Sequence, residues 1–442
     1  MNKTNLNKTR VTKTITLLIL TLSFALLLIL PSSAQDQGDH DIISVVKTPE
    51  ILDFFQRMNF DLLMEREGKL YAVVGARDLN RLNRALVPYT IETQNFPPYG
   101  ERHPERMSTQ GGINGDFHSY WETEQELMAL EQNHPDLAKL YDLGDSLEGR
   151  NIYGLKISDN VGSDEGEAEV LFLGCHHARE WISVEVPLLL AKHLLEQYGS
   201  DPKVKTLVDN SEIWVVPIVN PDGLEYSIHG YRYWRKNRRL NTDGSYGVDL
   251  NRNYGYKWGL DDVGSSPDPN SAVYRGTAPF SEPESQIIRK LVEAHNFKSL
   301  VSFHNYSQII IYPWGYTYEL SPDADLMGML ARNMAYLMVP VNGRWYAPGP
   351  ASGLYRTNGD TTDWAYGTHG ISSFTFELPP PNQAEGGFYN AEEDIQPIFA
   401  ENLPAALYLI DWAIQEYDSD RIIGISPIKS RLSQSIWIWG TR

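Results

Sequence analysis

The chain has 442 residues, a formal charge of −19 and 42% hydrophobic residues, which is length for about two or three domains and enough apolar material for a large core. So acidic a balance excludes nucleic acid and anionic membrane as partners held by charge. A single cysteine, Cys175, excludes an intramolecular disulfide and reads as a small buried apolar residue between a strand and a turn.

Lys3, Lys8, Arg10 and Lys13 precede an apolar run from Ile15 to Leu30 that ends in Pro31-Ser32-Ser33-Ala34. Residues 1–34 thus carry the order of an export leader with its small-residue cleavage site. The run is shorter than the roughly 20 residues that span a bilayer, so the expectation is a secreted, extracellular protein with no stable membrane association, not one held by an uncleaved anchor. Residues 35–94 alternate between strand and helix signals. Ile42–Val46 reads as a strand. Thr48 and Pro49 then give a cap and first-turn proline to a helix with Ile51, Leu52, Phe54, Phe55 and Met58 on one face. Phe60–Met64 and Leu70–Val74 flank a turn at Glu67-Gly68, Asp78 is expected to cap a helix bearing Leu79, Leu82 and Leu86, and Tyr89–Ile91 closes the unit. That order predicts a ferredoxin-like, split βαβ fold. Residues 95–115, with Pro97-Pro98, Gly100, Pro104, Arg102 and Arg106, read as a linker whose basic residues suit processing.

Residues 116–418 form the largest unit. Apolar strands at Ile152–Ser158, Val170–Gly174, Glu212–Val219, Ser299–His304 and Ser372–Leu378 alternate with helical stretches, predicting an α/β sheet with helices on both faces. Within it, His177 and Glu180 in G-C-H-H-A-R-E-W and His304 in S-F-H-N-Y-S-Q supply two imidazoles and a carboxylate. This is a catalytic zinc shell with its fourth position left to water. With 11 histidines in the chain, one H-x-x-E spacing arises by chance, so the surroundings decide. The register falls on His177 because the residue three beyond His176 is Arg179, which cannot ligate a cation. The strand Glu169–Gly174 and a helix over Ser183–Tyr198 place the pair in the turn after a strand's carboxyl end, where open α/β sheets bind ligands. His176 is left a packing or supporting role. Residues 419–442, with I-I-G-I-S-P-I-K and S-I-W-I-W-G, form an apolar tail to which the sequence assigns no role.

The chain carries further blocks in order: H-A-R-E-W (177–181), N-P-D-G (220–223), W-R-K-N-R (234–238), D-L-N-R-N (249–253), F-H-N-Y-S (303–307), G-D-T-T-D-W-A-Y-G (359–367) and F-T-F-E-L (374–378). Over Asp116 to the Ile410 region it resembles the zinc carboxypeptidases, and among them the bacterial carboxypeptidase T type. The resemblance implies a mixed central sheet, one Zn2+ per chain on His177, Glu180 and His304, and hydrolysis at peptide or protein C-termini. It makes Glu377 the general base, a task that suits a carboxylate beside a metal in a dry cleft. Arg235 is implied as the donor to the developing oxyanion. Asn251 and Arg252 match the clamp on the substrate's terminal carboxylate, whose two oxygens suit a planar guanidinium, with Arg179 as an auxiliary contact and Tyr355 as the tyrosine that closes over substrate.

Thr362 matches the base of the specificity pocket, walled by Ile311, Thr357 and Thr375, with Asp360 within reach of a basic side chain; the expectation is broad specificity, apolar and aromatic ends preferred, with some cleavage after basic ones. The ferredoxin-like unit resembles an activation propeptide, implying a zymogen and an activating protease; a monomer is expected. The acidic loop with Asp164, Glu165 and Glu167 is similar to a calcium-binding region of that type, a solvated charge run being the competing reading. Two other functions compete: a cell-wall amidase of the same fold, which Asn251, Arg252 and Tyr355 argue against, and a silent binding protein, which Glu377, Arg235 and the intact ligand set argue against.

Overall fold

The computed structural model describes residues 41–93 except 59 and 67, and 114–423 except 383 and 384. The expected leader, most of the linker and residues 424–442 lie outside the described residues.

Strands β1 (Asp41–Val46), β2 (Asp61–Arg66), β3 (Lys69–Val74) and β4 (Thr90–Thr93) form an antiparallel sheet of order β2-β3-β1-β4. Helices Pro49–Arg57 and Ala76–Arg84 fall in the connections, which is the split βαβ order. Thr48 caps the first helix, its Oγ1 accepting from Ile51 N at 3.2 Å. Two expectations shift. The second helix begins earlier, with Gly75 at the cap and Asp78 reaching back to accept from Gly75 N at 3.3 Å, the reciprocal half of a capping box. Leu86 lies beyond the helix end at φ +55° and is 88% exposed, so it has no place on the apolar face. Ile43, Val45, Phe55, Phe60, Leu70, Ala72, Val74 and Leu82 fill the small core, with Phe55 stacked on Phe60 at 4.3 Å.

The large unit is built on β5 (Ala138–Asp145), β6 (Asn151–Ile157), β7 (Ala168–Leu173), β8 (Ser211–Val216), β9 (Phe297–Asn305), β10 (Ile309–Tyr312), β11 (Ala347–Pro350) and β12 (Ser372–Leu378). They form one eight-stranded sheet of order β11-β10-β12-β9-β7-β8-β6-β5. The central β8, β7, β9 and β12 run parallel, while β5, β6 and β10 pair antiparallel with their inner neighbours. The sheet is mixed, as expected. Every residue of β7 and β8 is buried, as strands covered on both faces must be. Along β7, Val170 and Phe172 join one core, with residues of helices Ile182–Gln197, Ala324–Asn342 and Ile395–Ile423. Leu171 and Leu173 join the other, with residues of helices Pro283–Ala294 and Thr361–His369. This is the two-residue alternation of a strand read across two helical layers. Among the described residues no helix is long and apolar enough to cross a membrane.

The strand order positions the site. From β7 the chain crosses to β8 on one side, then returns to β9 on the other. The carboxyl ends of β7 and β9 therefore flank the topological switch point, where connections diverge and leave a crevice.

Candidate active site

The turn after β7 is a tight crossing. A Cβ on Gly174 would collide with the carbonyl oxygens of Ser183 and Pro217, so glycine is required there. Cys175 follows at φ +51° and its N–H donates to Ser183 Oγ at 3.1 Å. Asn220, the cap of helix Pro221–His229, ties three segments together: its Oδ1 accepts from Gly223 N at 3.0 Å and its Nδ2 donates to His176 O and Lys236 O, each at 3.1 Å. The N-P-D-G block thus fixes the metal turn against the W-R-K segment.

On this frame His177, Glu180 and His304 converge. His177 Nδ1 lies 2.9 Å from Glu180 Oε1, His304 Nδ1 lies 2.9 Å from Glu180 Oε2, and the two Nδ1 atoms are 3.0 Å apart. All three side chains are buried. Each ring turns its other nitrogen to a support: His177 Nε2 to Asp249 Oδ1 at 3.2 Å, and His304 Nε2 to Ser302 Oγ at 3.0 Å. With hydrogens on both Nε2 atoms, two Nδ1 lone pairs and a carboxylate face one point. That donor set fits a zinc ion, and such supports fix ring orientation in zinc sites. Glu180 is held far below the usual carboxylate range: burial works to raise it, but His177 and His304 outweigh it.

Asp249, to which the D-L-N-R-N block alone assigns no role, stands against the ligand set. Fully buried, it accepts from Asn251 N at 2.9 Å on Oδ1, beside His177, and from Arg235 Nε and Nη2 at 3.0 and 2.9 Å on Oδ2. Burial opposes its charge, yet Arg235, His177 and Arg252 keep it well below its ordinary value. One carboxylate therefore orients a metal ligand and the Arg235 guanidinium. His176 has a role of the supporting kind. Ser302 Oγ, accepting from His304, donates to His176 Nδ1 at 3.1 Å, and His176 Nε2 donates to Tyr254 Oη at 2.9 Å and Thr361 Oγ1 at 3.1 Å. Thr361 in turn gives its hydroxyl and its N–H to Asn251 Oδ1, both at 2.9 Å. This directed chain fixes the Asn251 amide with its oxygen inward, leaving Nδ2 for a ligand. The proton affinity of His176, lowered by burial and by its neighbouring imidazoles, keeps the ring neutral as the chain requires.

Glu377 stands on β12 in register with His304 on β9. Burial and the Glu180 charge push its carboxyl well above the usual range, while Arg235, Arg179 and Arg252 pull it down. Arg252 is 2% exposed; its Nη1 donates to Asn251 O at 2.7 Å and its Nε has no hydrogen-bond partner. Arg179 lies over the Phe388 ring at 4.0 Å, and the Tyr355 ring sits 5.9 Å from the Arg252 guanidinium carbon. Ile311 and Thr375 are paired across β10 and β12.

Asp360 differs from expectation. It caps helix Thr361–His369, Oδ1 accepting from Asp363 N at 2.8 Å and Thr362 Oγ1 at 3.0 Å, and Oδ2 from Thr357 Oγ1 at 2.7 Å. One lone-pair direction remains for a basic side chain. Asp164 is turned into its own loop, accepting from Gly166 N at 3.0 Å; Glu165 and Glu167 gather instead with Asp159. Glu165 Oε1 already accepts from Asn160 Nδ2 at 2.9 Å, so the structure gives the expected calcium set no support.

The small sheet meets this end of the molecule. Ile42 of β1 is buried with Tyr233, Tyr306 and Phe388, Tyr71 of β3 packs beside them, and Tyr355 packs against the small core.

Comparison with known proteins gives the family. Residues 123–405 match the family model described as zinc carboxypeptidase. The chain is 34% identical to a zinc carboxypeptidase of Saccharothrix mutabilis subsp. capreolus, over 81% of this chain and 85% of that one. It is also 34% identical to carboxypeptidase A1 of Rattus norvegicus, over 70% and 73% respectively. Among solved structures, thrombin activatable fibrinolysis inhibitor superposes with a TM-score of 0.71 at 25% identity, covering 86% of this chain and 99% of that one. Carboxypeptidase A from Helicoverpa armigera gives 0.69 at 25% identity, over 86% and 96%.

Proposed function

The chain belongs to the zinc carboxypeptidase family, and from that premise we propose that it is a secreted exopeptidase, made as a zymogen, that removes single residues from peptide C-termini with Glu377 as general base. The observation that carries the exopeptidase reading is Arg252: a guanidinium 2% exposed, with its Nε unpartnered, beside the ligand set and Glu377. A buried cation with an open donor calls for an anion, and a terminal carboxylate supplies one in the right place.

Zinc held by His177, Glu180 and His304 supplies a Lewis acid that polarises a carbonyl and acidifies water. The chain's own residues do the rest. Arg252 and the inward-fixed Asn251 bind the substrate carboxylate, with Arg179 beside them, which sets the scissile bond by its distance from the chain end. Glu377, whose proton affinity burial and Glu180 raise, takes a proton from water and returns it to the leaving amine. Arg235, held at both Nε and Nη2 by Asp249, is fixed to donate to the oxyanion at no cost of reorganisation. Tyr355 closes over the bound end. The pocket, with Thr362 at its base and Ile311 and Thr375 in its wall, favours apolar and aromatic terminal side chains, with weaker cleavage after basic ones.

The zymogen reading rests on the contact of Ile42 and Tyr71 with Tyr233, Tyr306 and Phe388, and of the small core with Tyr355. A sheet seated on the residues that border the carboxylate clamp blocks peptide entry until the linker is cut. That a structural relative matching 86% of this chain is by name activatable points the same way.

The test pairs two substrates with one variant. Peptides ending in a free carboxylate should be trimmed after the precursor is cut between about residues 100 and 115, whereas their C-terminal amides should resist. Glu377→Gln should hold zinc at full stoichiometry and lose about 10²-fold or more in kcat. Equal turnover of acid and amide would end the exopeptidase reading, near-normal turnover by the variant would place the base elsewhere, and full activity in the uncut precursor would remove the inhibitory role.

A further inference from the structure

Arg232 stands three residues before Arg235, in a stretch crowded with cations. Its side chain is nevertheless buried, 4% exposed, and a cation leaves water only where other groups replace its hydration. Here Nη1 donates to the carbonyl oxygen of Arg179 at 2.5 Å and Nη2 to that of Phe388 at 2.7 Å. The guanidinium carbon lies 3.7 Å from the centre of the Trp181 ring and 4.7 Å from that of Tyr389. The contacts therefore come in two pairs, a carbonyl and a ring from residues 179–181, and a carbonyl and a ring from residues 388–389.

The two pairs belong to different segments bordering the site. Arg179 and Trp181 lie in the metal turn, on either side of Glu180. Phe388 and Tyr389 lie in a turn beyond β12 and its Glu377, closed by Tyr389 N donating to Gly386 O at 3.0 Å. The residues whose carbonyls Arg232 holds also meet through their side chains, since the Arg179 guanidinium lies 4.0 Å from the centre of the Phe388 ring. The Trp181 ring is fixed at its edge as well. Its Nε1 donates to Ser227 Oγ at 2.8 Å, and Ser227 Oγ donates to Arg232 O at 3.1 Å. Only arginine offers two parallel donors at its edge and a flat face to aromatic rings, whereas an ammonium is a single point of charge.

We propose that Arg232 is a positioning residue for peptide binding, holding Arg179 and the turn 386–389 at a fixed separation so that Arg179 is set before substrate arrives. One guanidinium pins the backbone of Arg179 and the backbone of the ring on which Arg179 rests. Ordering Arg179 in advance spares that ordering when the peptide binds. The proposal rests on the reading of Arg179 as a contact of the substrate's terminal carboxylate.

The test uses the processed enzyme and one peptide with a free C-terminal carboxylate. Arg232→Lys keeps a charge but cannot reach both carbonyls. It should raise KM about tenfold with kcat changed less than about twofold, the pattern of lost binding common to ground and transition states, and zinc should stay stoichiometric. Arg179→Met should raise KM alone, and adding Arg232→Lys to it should raise KM no further, because residues acting through one another are not additive. Tyr389→Leu strips one ring from the guanidinium and leaves the buried charge in place, so it repeats the test should the lysine variant fold poorly. Its expected rise in KM is about threefold, again absent in the Arg179→Met background. Unchanged KM in Arg232→Lys and Tyr389→Leu, or the same rise with and without Arg179, overturns the proposal. Loss of kcat or of zinc at unchanged KM also overturns it, making Arg232 a prop of the metal turn. Cleavage of the C-terminal amide by the unaltered enzyme separates the two readings: amide cut as fast as acid ends the exopeptidase reading, whereas acid preference with unchanged KM in the variants ends this one alone.

Discussion

Among the described residues the sheet carries a histidine–glutamate cluster at each end, and the two dispose of their hydrogens in opposite ways. At the carboxyl ends of β7 and β9, His177, Glu180 and His304 bring their ligand atoms within 4.8 Å of one another; at the amino ends, Glu169, Glu212 and His295 do the same. The amino-end set is closed on itself. Glu169 accepts from His295 at 2.7 Å and from the backbone N–H of Asn296, and Glu212 pairs with Lys156 at 2.8 Å. Every charge there has a partner of opposite sign or a donor, so the cluster holds strand ends together. At the carboxyl end the supports, Asp249 and Ser302, take up the outward ring nitrogens, so the two inward ring lone pairs face the Glu180 carboxylate, whose Oε2 accepts from Asn305 N at 3.3 Å. What separates a metal centre from an ion-pair cluster is therefore where the hydrogens are sent, not which residue types meet.

Replacing one histidine at each end breaks the comparison most sharply. His304→Ala should lose stoichiometric zinc and all measurable peptidase activity, because two donors do not complete the shell. His295→Ala should keep both zinc and turnover and lose stability, by about 1–3 kcal/mol for the Glu169 acceptor left without its partner. Metal analysis of the two purified variants decides it; zinc retained in His304→Ala, or lost in His295→Ala, would reverse the assignment of the two ends.

The supports offer a smaller and more specific effect. Asp249→Asn keeps the size of the side chain but removes the charge that holds His177 and Arg235 together. Zinc affinity should fall by about 10–100-fold, the range for loss of such a partner, and kcat should fall even at saturating zinc because Arg235 is released. Full kcat on zinc addition would mean that Asp249 serves the metal alone.

These supports mark the limit of what was legible in the sequence. His177, Glu180 and His304 were readable because ligand chemistry is local: a carboxylate three residues beyond His177, and Arg179 excluding His176. Both faces of β7 were readable from its unbroken apolar run. Asp249, Ser302 and Thr361 act across 72, 2 and 185 residues from the histidines they meet, and only the fold brings the distant two into place. Strand β11, Ala347–Pro350, contains two prolines and reads as a breaker; it survives because it pairs on one side only, at the sheet edge, where a missing donor costs nothing. Asp360 was set within reach of the pocket by its position two residues before Thr362, but its helix cap and its two threonine partners are tertiary facts.

Protonation extends the comparison to a buried carboxylate outside both clusters. Glu284 accepts from Leu147 N at 3.2 Å and Asn237 Nδ2 at 3.2 Å, and its pKa is raised from 4.5 to about 7, chiefly by burial and further by Glu282 and Asp222. The folded state thus binds a proton that the unfolded state releases between those values. Its contribution is present below about pH 4.5 and is lost as pH rises through about 7. Denaturation midpoints of Glu284→Gln should fall less than those of the unaltered chain over that window, whatever constant offset the substitution adds. Parallel curves would show that Glu284 is not the titrating group.

The smallest effect concerns the pocket. Asparagine caps helices nearly as well as aspartate, so Asp360→Asn should retain the bond from Asp363 N and cost under about 1 kcal/mol. It removes a negative charge whose oxygens already serve Asp363 N, Thr362 and Thr357, leaving one direction open to a substrate cation. A terminal Lys or Arg should therefore lose only modestly, by about tenfold or less in kcat/KM for a charge-assisted bond made at a partly occupied acceptor, while Leu and Phe termini should be unaffected because they never meet the carboxylate. The ratio of kcat/KM for paired peptides differing only in the last residue measures this directly. An equal fall for Lys and Leu would show that Asp360 acts through the helix it caps and not through contact with substrate, leaving the weak basic activity to some other feature of the pocket.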